Sequence, residues 1–217
     1  MIIGDMTDVV GFSERAVDFY SRLAADNTKD FWVANKSTYD AEVRDPMRAL
    51  ISSLESEFGP GKLFRPNRDT RFRQDKSPYK TSQAAIVGHR PGLGYYVQLD
   101  AAGLAAGGGF RSHDPSEVGR YRAAVDDPAS GAALDGIVAA LGEAGFAIEG
   151  ERLKTVPRGY DRDHPRIELL RGRSLMVVRA FGAPDWLASP RVVEEVTAVW
   201  REVRPLVHWA SAHVDAH

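Results

Sequence analysis

The sequence predicts an α+β fold: one domain in which a largely antiparallel sheet packs with helices from the N-terminal, middle and C-terminal segments. Three observations carry that prediction. Helical spacing of apolar residues fills 13–58 and returns after Asp114. Strand-like runs are bunched between Gln83 and Phe110, with one late apolar run at Leu175–Phe181. Strands and helices are therefore segregated rather than alternating, which favours α+β over a βαβ design. No internal repeat or low-complexity run interrupts the pattern. The expected boundaries are an N-terminal extension over 1–12, the domain over 13–210 and a frayed tail over 211–217.

Composition sets the outer limits. Across 217 residues, 43% are hydrophobic and 27% charged, the balance of a globular chain rather than a disordered one. No stretch approaches the ~20 continuous apolar residues of a membrane span, so no membrane partner is expected. The opening MIIGDMTDVVGF lacks a basic n-region and carries acids early, unlike a secretory signal. Cysteine is absent. That excludes disulfides, thiolate nucleophiles and Cys-ligated metals, and it suits a cytoplasmic location.

Ser13 is the expected N-cap of a first helix, with Ala16, Val17, Tyr20, Leu23 and Ala24 at three- and four-residue spacing. Asn27 or Thr28 caps the next segment, and Asp30 sits in its first turn near the positive end of the helix dipole. Trp32, Tyr39, Val43, Met47, Leu50, Ile51, Leu54 and Phe58 then keep helical spacing straight across Pro46. Two arrangements fit: one kinked helix, or a break with Asp45 as N-cap and Pro46 at the first helical position. The break is the favoured one. Gly59-Pro60-Gly61 ends the helical half.

Strands are expected at Gln83–His89 and Tyr95–Asp100, with Gly103–Phe110 as a hairpin partner loosened by Gly107-Gly108-Gly109. That glycine cluster fits neither GxGxxG nor GxxxxGK[ST], and it reads as a turn or bulge. Asp114-Pro115-Ser116-Glu117 opens a helix, and a second runs from about Ala129 to Ala144. A loop, Lys154–Pro165, leads to a short helix through Leu169 and Leu170. Leu175–Phe181 is expected to be a central strand buried on both faces. Ser189-Pro190 starts a long amphipathic helix that Pro205 should kink or interrupt.

One stretch stands out by charge. Lys62 to Lys80 holds seven cations against Asp69 and Asp75, a local +5 in a chain of formal net charge −2. A basic island in an acidic chain reads as an anion site or a basic contact face. Arg65, Arg68, Arg71, Arg73, Lys76 and Lys80 are the candidate ligand-binding residues, because planar guanidinium groups give bidentate contacts to phosphate or carboxylate. Pro66, Pro78 and Asp69 look like devices that fix a loop shape. The competing reading is a solvated sheet edge kept charged against aggregation. The loop Lys154–Pro165 is the second candidate, presenting Arg158, Tyr160 and His164 on a Pro157/Gly159/Pro165 frame. Asp69, Tyr79 and His164 are the candidates for orientation or proton transfer, His164 because imidazole titrates near neutral pH.

Other motifs carry less. Ser77-Pro78-Tyr79-Lys80 matches Ser-x-x-Lys, but Lys80-Thr81-Ser82 is not Lys-Thr-Gly and no Ser-Asp-Asn occurs. His213 and His217 are four apart but lie at the chain end, and no HExxH occurs. No metal and no cofactor is expected.

RPNRDTRFRQDKSPYKT (65–81), GYYVQLDAAGLAAGGG (94–109) and LKTVPRGYDRDHPRIELLR (153–171) resemble hallmark stretches of the domain of unknown function 2461 family of bacteria and fungi. NTKDFWVANKSTYDAEVRDP (27–46) is similar to that family's opening. The resemblance spans about Phe19 to Trp209 and implies a single domain. It supplies no reaction. The expectation is a protein that binds a small phosphorylated or anionic ligand at the basic segment. The alternative is a nucleic-acid or polyanion binder, or an interaction module, using the same face.

Overall fold

The computed structural model describes residues 11–69, 71, 74–90, 92–112 and 114–215. Arg73 and its neighbour Phe72, most of the expected N-terminal extension, His113 and His217 lie outside the described residues. Two compact units are distinguished. The first comprises the chain up to Val87 with Tyr96–Ala106 and Ala180–Ala198; the second comprises Gly88–Tyr95, Gly107–Arg179 and Val199 onward.

The architecture is α+β. Three helical segments come first: α1 (Glu14–Ala25), α2 (Lys29–Thr38) and α3 (Asp45–Phe58). Strands β1 (Gly61–Leu63), β2 (Ser82–Arg90), β3 (Leu93–Asp100) and β4 (Gly103–Arg111) follow. After α4 (Pro115–Asp126) and α5 (Pro128–Glu143) come β5 (Ala147–Glu149), the short α6 (Ile167–Leu170), β6 (Ser174–Gly182) and the long α7 (Arg191–His213). The six strands form one antiparallel sheet in the order β1-β2-β3-β4-β6-β5.

In the first unit, α1 buries Ala16, Tyr20 and Leu23 of its expected face and adds Phe19, while Val17 is half-buried and Ala24 exposed. Thr28, not Asn27, caps α2, its Oγ1 accepting from Phe31 N at 3.2 Å. The expected break at Pro46 does not occur. Residues Tyr39–Arg44 form a π-helical turn, and Asp45 is helical, with its N–H donating to Asp40 O. The wider turn moves preceding carbonyls away from the proline ring, and it keeps Tyr39, Val43 and Met47 all buried. A break would have pulled one of those side chains off the core. The N-terminal boundary also shifts, because Phe12 is buried and its N–H donates to Leu187 O at 2.7 Å.

In the second unit, Asp114 and Asp127 cap α4 and α5 through their side chains, each with proline in the first turn. The glycine cluster is neither turn nor phosphate loop; it lies inside β4. A Cβ on Gly107 would fall 1.9 Å from Val177 O and one on Gly109 2.1 Å from Leu175 O, so only glycine lets β6 approach. Strand β6 is next to the sheet edge rather than central, flanked outside by β5, which pairs Ile148 with Val177. Its buried residues are accordingly concentrated in its first half. Helix α7 runs through Pro205 without a break, and Val214 beyond it is fully buried, its carbonyl accepting from Arg120 Nε at 2.9 Å. The expected fraying after Ser211 is therefore replaced by a docked end through Val214. Among the described residues no helix is long and apolar enough to cross a membrane.

Candidate functional site

The basic stretch folds as a hairpin that extends the β1–β2 pair within the first unit. Leu63 pairs with Ala85, and beyond the strands Asn67 pairs with Tyr79. Four steps on one arm thus correspond to six on the other, so the returning arm carries two extra residues. Backbone bonds Lys80 N→Pro66 O (2.7 Å) and Arg68 N→Pro78 O (2.8 Å) continue the pairing past this offset. The prolines serve as acceptors there, which their missing N–H does not prevent.

Three side chains that sequence reading did not single out hold this hairpin. Asn27 Oδ1 accepts from Tyr79 N at 3.1 Å while its Nδ2 donates to Tyr79 O at 3.0 Å, an amide imitating a ladder partner. Trp32 stacks on Tyr79 with ring centroids 4.2 Å apart and planes 9° from parallel. Gln83, buried, accepts from Tyr39 O–H at 2.6 Å and donates to Phe64 O at 2.9 Å, where the ladder lapses. Asn27 was visible only as one of two cap candidates. Gln83 stands at the head of the apolar run Ala84–Val87, and that contrast was its available signal.

At the tip the cations are matched by acids. Asp69 takes Arg71 bidentately, Oδ1 accepting from Nε at 3.0 Å and Oδ2 from Nη2 at 2.6 Å. Arg68 is paired to Asp75. Asp75 Oδ1 also accepts from Ser77 N at 2.9 Å. Hydrogen bonds from Ser77, then the Arg68 guanidinium, hold the Asp75 carboxyl at about 2 against an ordinary 3.8. A depressed carboxyl stabilises the folded tip above its unfolded pKa, and that contribution is lost as pH falls through about 2. Carboxyl-carbon NMR of Asp75 is expected to titrate near 2, with Ser77→Ala moving the midpoint up; an unperturbed midpoint in wild type would refute the arrangement.

The base of the hairpin differs. Arg65 is exposed and Lys80 half-buried, and neither has a carboxylate partner among the described residues. Lys80 Nζ lies 5.3 Å from the centre of the Phe64 ring, itself 38% exposed. Burial first, and the charge of Arg65 second, push the Lys80 ammonium below its usual pKa. Lys76 is exposed. Tyr79 is buried in its stack, and Asp69 is occupied by Arg71, so neither is poised for proton transfer.

The loop Lys154–Pro165 belongs to the second unit, whereas the basic hairpin belongs to the first. Arg158 is exposed and Tyr160 half-buried, its phenol pushed up by burial and then by Asp126. His164 is fully engaged: Nδ1 accepts from Arg166 N at 3.0 Å, and Nε2 faces Asp126 Oδ1 at 3.3 Å. With both nitrogens used to shape the approach to α6, this imidazole serves as a structural fastener. Arg166 reinforces it by donating to Val125 O at 2.7 Å and Asp126 O at 3.0 Å, closing the end of α4. Among the described residues no group of three His, Asp or Glu could hold a metal ion.

A family model described as conserved hypothetical protein (DUF2461) matches residues 15–209. Nothing matches among curated proteins or among solved structures.

Proposed function

The chain belongs to the DUF2461 family, and from that premise we propose that it binds a small phosphorylated or other anionic ligand at the base of the hairpin, between Arg65 and Lys80. The observation that carries this reading is the half-buried Lys80 ammonium, depressed by burial and by Arg65 and lacking a carboxylate among the described residues. Two adjacent cations repel, and an anion between them converts that repulsion into attraction. Arg65 supplies a planar fork and Lys80 a point charge, a pairing suited to phosphate. Arg68 and Arg71 are less suited, because an incoming anion must displace Asp75 or Asp69. The function proposed is binding rather than catalysis, since Asp69, Tyr79 and His164 are all committed to the framework.

A second reading rests on Phe64, whose exposed ring beside Lys80 offers a stacking surface to a nucleic acid. Salt separates the two, because a polymer's affinity falls steeply as ionic strength rises.

The test is a thermal-shift screen with phosphate, sulfate, sugar phosphates, nucleotides and oligonucleotides on wild type, Arg65→Gln, Lys80→Met and Arg71→Ala. A ligand at about 100 times its Kd should add ~2.7 kcal/mol to wild type. Arg65→Gln and Lys80→Met are expected to abolish the response and Arg71→Ala to keep it. Binding should weaken as pH rises through the lowered pKa of Lys80, since deprotonation removes one of the two charges. No response in wild type, or equal loss in Arg71→Ala, would sink the assignment to the hairpin base.

A further inference from the structure

A groove of about 490 Å3 opens between the start of α1 and the 3-10 turn Asp185–Ala188, all within the first unit. Its walls are tied at one end by the Phe12 N→Leu187 O bond. Its floor is apolar: Phe12 and Leu187 are buried, and Val17 and Pro184 are half-buried. The rim carries Glu14, Asp18 and Asp185. Arg22 comes no closer than 3.8 Å to Asp18, because its guanidinium donates to Asn35 Oδ1 at 3.0 Å and lies over the Phe31 ring. Glu14 and Asp185 have no cation within ion-pair distance among the described residues. The two rim serines offer no proton either. Ser13 Oγ donates to Glu42 Oε2 at 2.7 Å and Ser21 Oγ to Val17 O at 3.3 Å. Every polar side chain on the rim therefore presents acceptors only.

We infer that this groove is a binding site for an organic cation with a short aliphatic body, of the alkylammonium or alkyldiammonium class. The volume lies within the range of ligand clefts, and an apolar floor with a few convergent polar groups is their usual make-up. Charge complementarity selects the occupant. An ammonium brings three donors and no acceptor, matching a rim of carboxylates and donor-spent hydroxyls. An anion would meet like charge, and a neutral alcohol would leave the carboxylates without a counter-charge. A bare metal ion is a poor match, because the carboxylates do not gather into a group that could hold one. The site shares no residue with Arg65 and Lys80, so it stands or falls independently of the anion reading.

The experiment is isothermal titration of the full chain with hexylamine, 1,6-diaminohexane, 1-hexanol and hexanoate at constant ionic strength. Wild type is expected to bind both amines and neither control. The double variant Asp18→Asn/Asp185→Asn is expected to weaken the amines at least ten-fold, and Asp161→Asn, far along the chain in the second unit, to change nothing. Ala188→Leu, which narrows the groove while leaving its charge intact, should also weaken both amines. Equal affinity for hexanol and hexylamine, unaltered amine binding in the double variant, or no amine binding in wild type would each overturn the inference. Capture of a lysine-rich peptide without any binding of the free amines would overturn it too, assigning the groove to a protein.

Discussion

Replacing Trp32 by alanine is expected to lower folding stability by about 3–5 kcal/mol, the range for truncating a large buried aromatic. The indole is at the centre of the first unit's aromatic cluster. It stacks on Tyr79 at 4.2 Å, lies 4.8 Å from the Tyr39 ring and makes an edge contact with Phe19 at 6.0 Å. Removing it leaves a void bordered by Phe19 on α1, Tyr39 in the π-helical turn and Tyr79 on the hairpin, and the two rings on the helical side can close only part of it. The loss also has a place. Tyr79 carries the hairpin, and with the stack gone the Asn27 amide is left as its side-chain fastening, beside the backbone pairing with Asn67. Hydrogen exchange at Lys80 and Arg68 N–H, bonded to Pro66 O and Pro78 O, should therefore accelerate more than exchange in α7. Asn27→Ala acts on the same tyrosine through different atoms. A double-mutant cycle between Trp32 and Asn27 should give a coupling energy above about 0.5 kcal/mol, the level at which residues sharing a contact depart from additivity. Strict additivity would mean that the two do not act through Tyr79.

The helical half was legible because one apolar stripe, Trp32 to Phe58, demands a single face whatever Pro46 prefers. What the spacing could not show was how the backbone reconciles the two. The π-turn at Tyr39–Arg44 adds slack that keeps both the stripe and the proline. Caps at Asp114 and Asp127 could be read from local chemistry alone. The glycines of β4 could not, because their cause lies in the approach of β6, some seventy residues away in sequence. The candidate site divides the same way. Its charge excess was plain from composition, but which cations are matched depends on hairpin register. The hairpin places Arg68 across from Pro78, from where its guanidinium reaches Asp75, and leaves Arg65 beside Lys80. His164 is a related case. Its type suggested acid–base work, and its hydrogen bond from Arg166 N and its contact with Asp126 tie it to the fold.

Gln83→Leu is expected to cost about 2–6 kcal/mol although it keeps the side chain's volume, because it strands two groups at roughly 1–3 kcal/mol each. The amide is 1% exposed and its capacity is nearly filled: Oε1 accepts from Tyr39 O–H, and Nε2 donates to Phe64 O and Ala84 O. Ala84 O keeps its bond from Phe64 N, so it tolerates the change. The Tyr39 hydroxyl and Phe64 carbonyl have no such substitute. Tyr39 cannot ionise its way out, since burial has already pushed its pKa up to about 12. Double replacement with Tyr39→Phe should recover part of the loss by removing one of the stranded groups. Gln83→Glu separates hydrogen bonding from size. One carboxyl oxygen can still accept from Tyr39, but the other faces two carbonyls and must be protonated to donate. The folded pKa of that glutamic acid is then raised above an unfolded value of about 4.3. The folded state binds more protons between those two values, so stability falls as pH rises above about 4.3. The urea midpoint of Gln83→Glu, measured against wild type at pH 4.5 and 7.5, should show the larger deficit at the higher pH. A deficit that is equal at both pH values would mean that the carboxylate reaches water, and that Gln83 is not the sealed joint between Tyr39 and the hairpin.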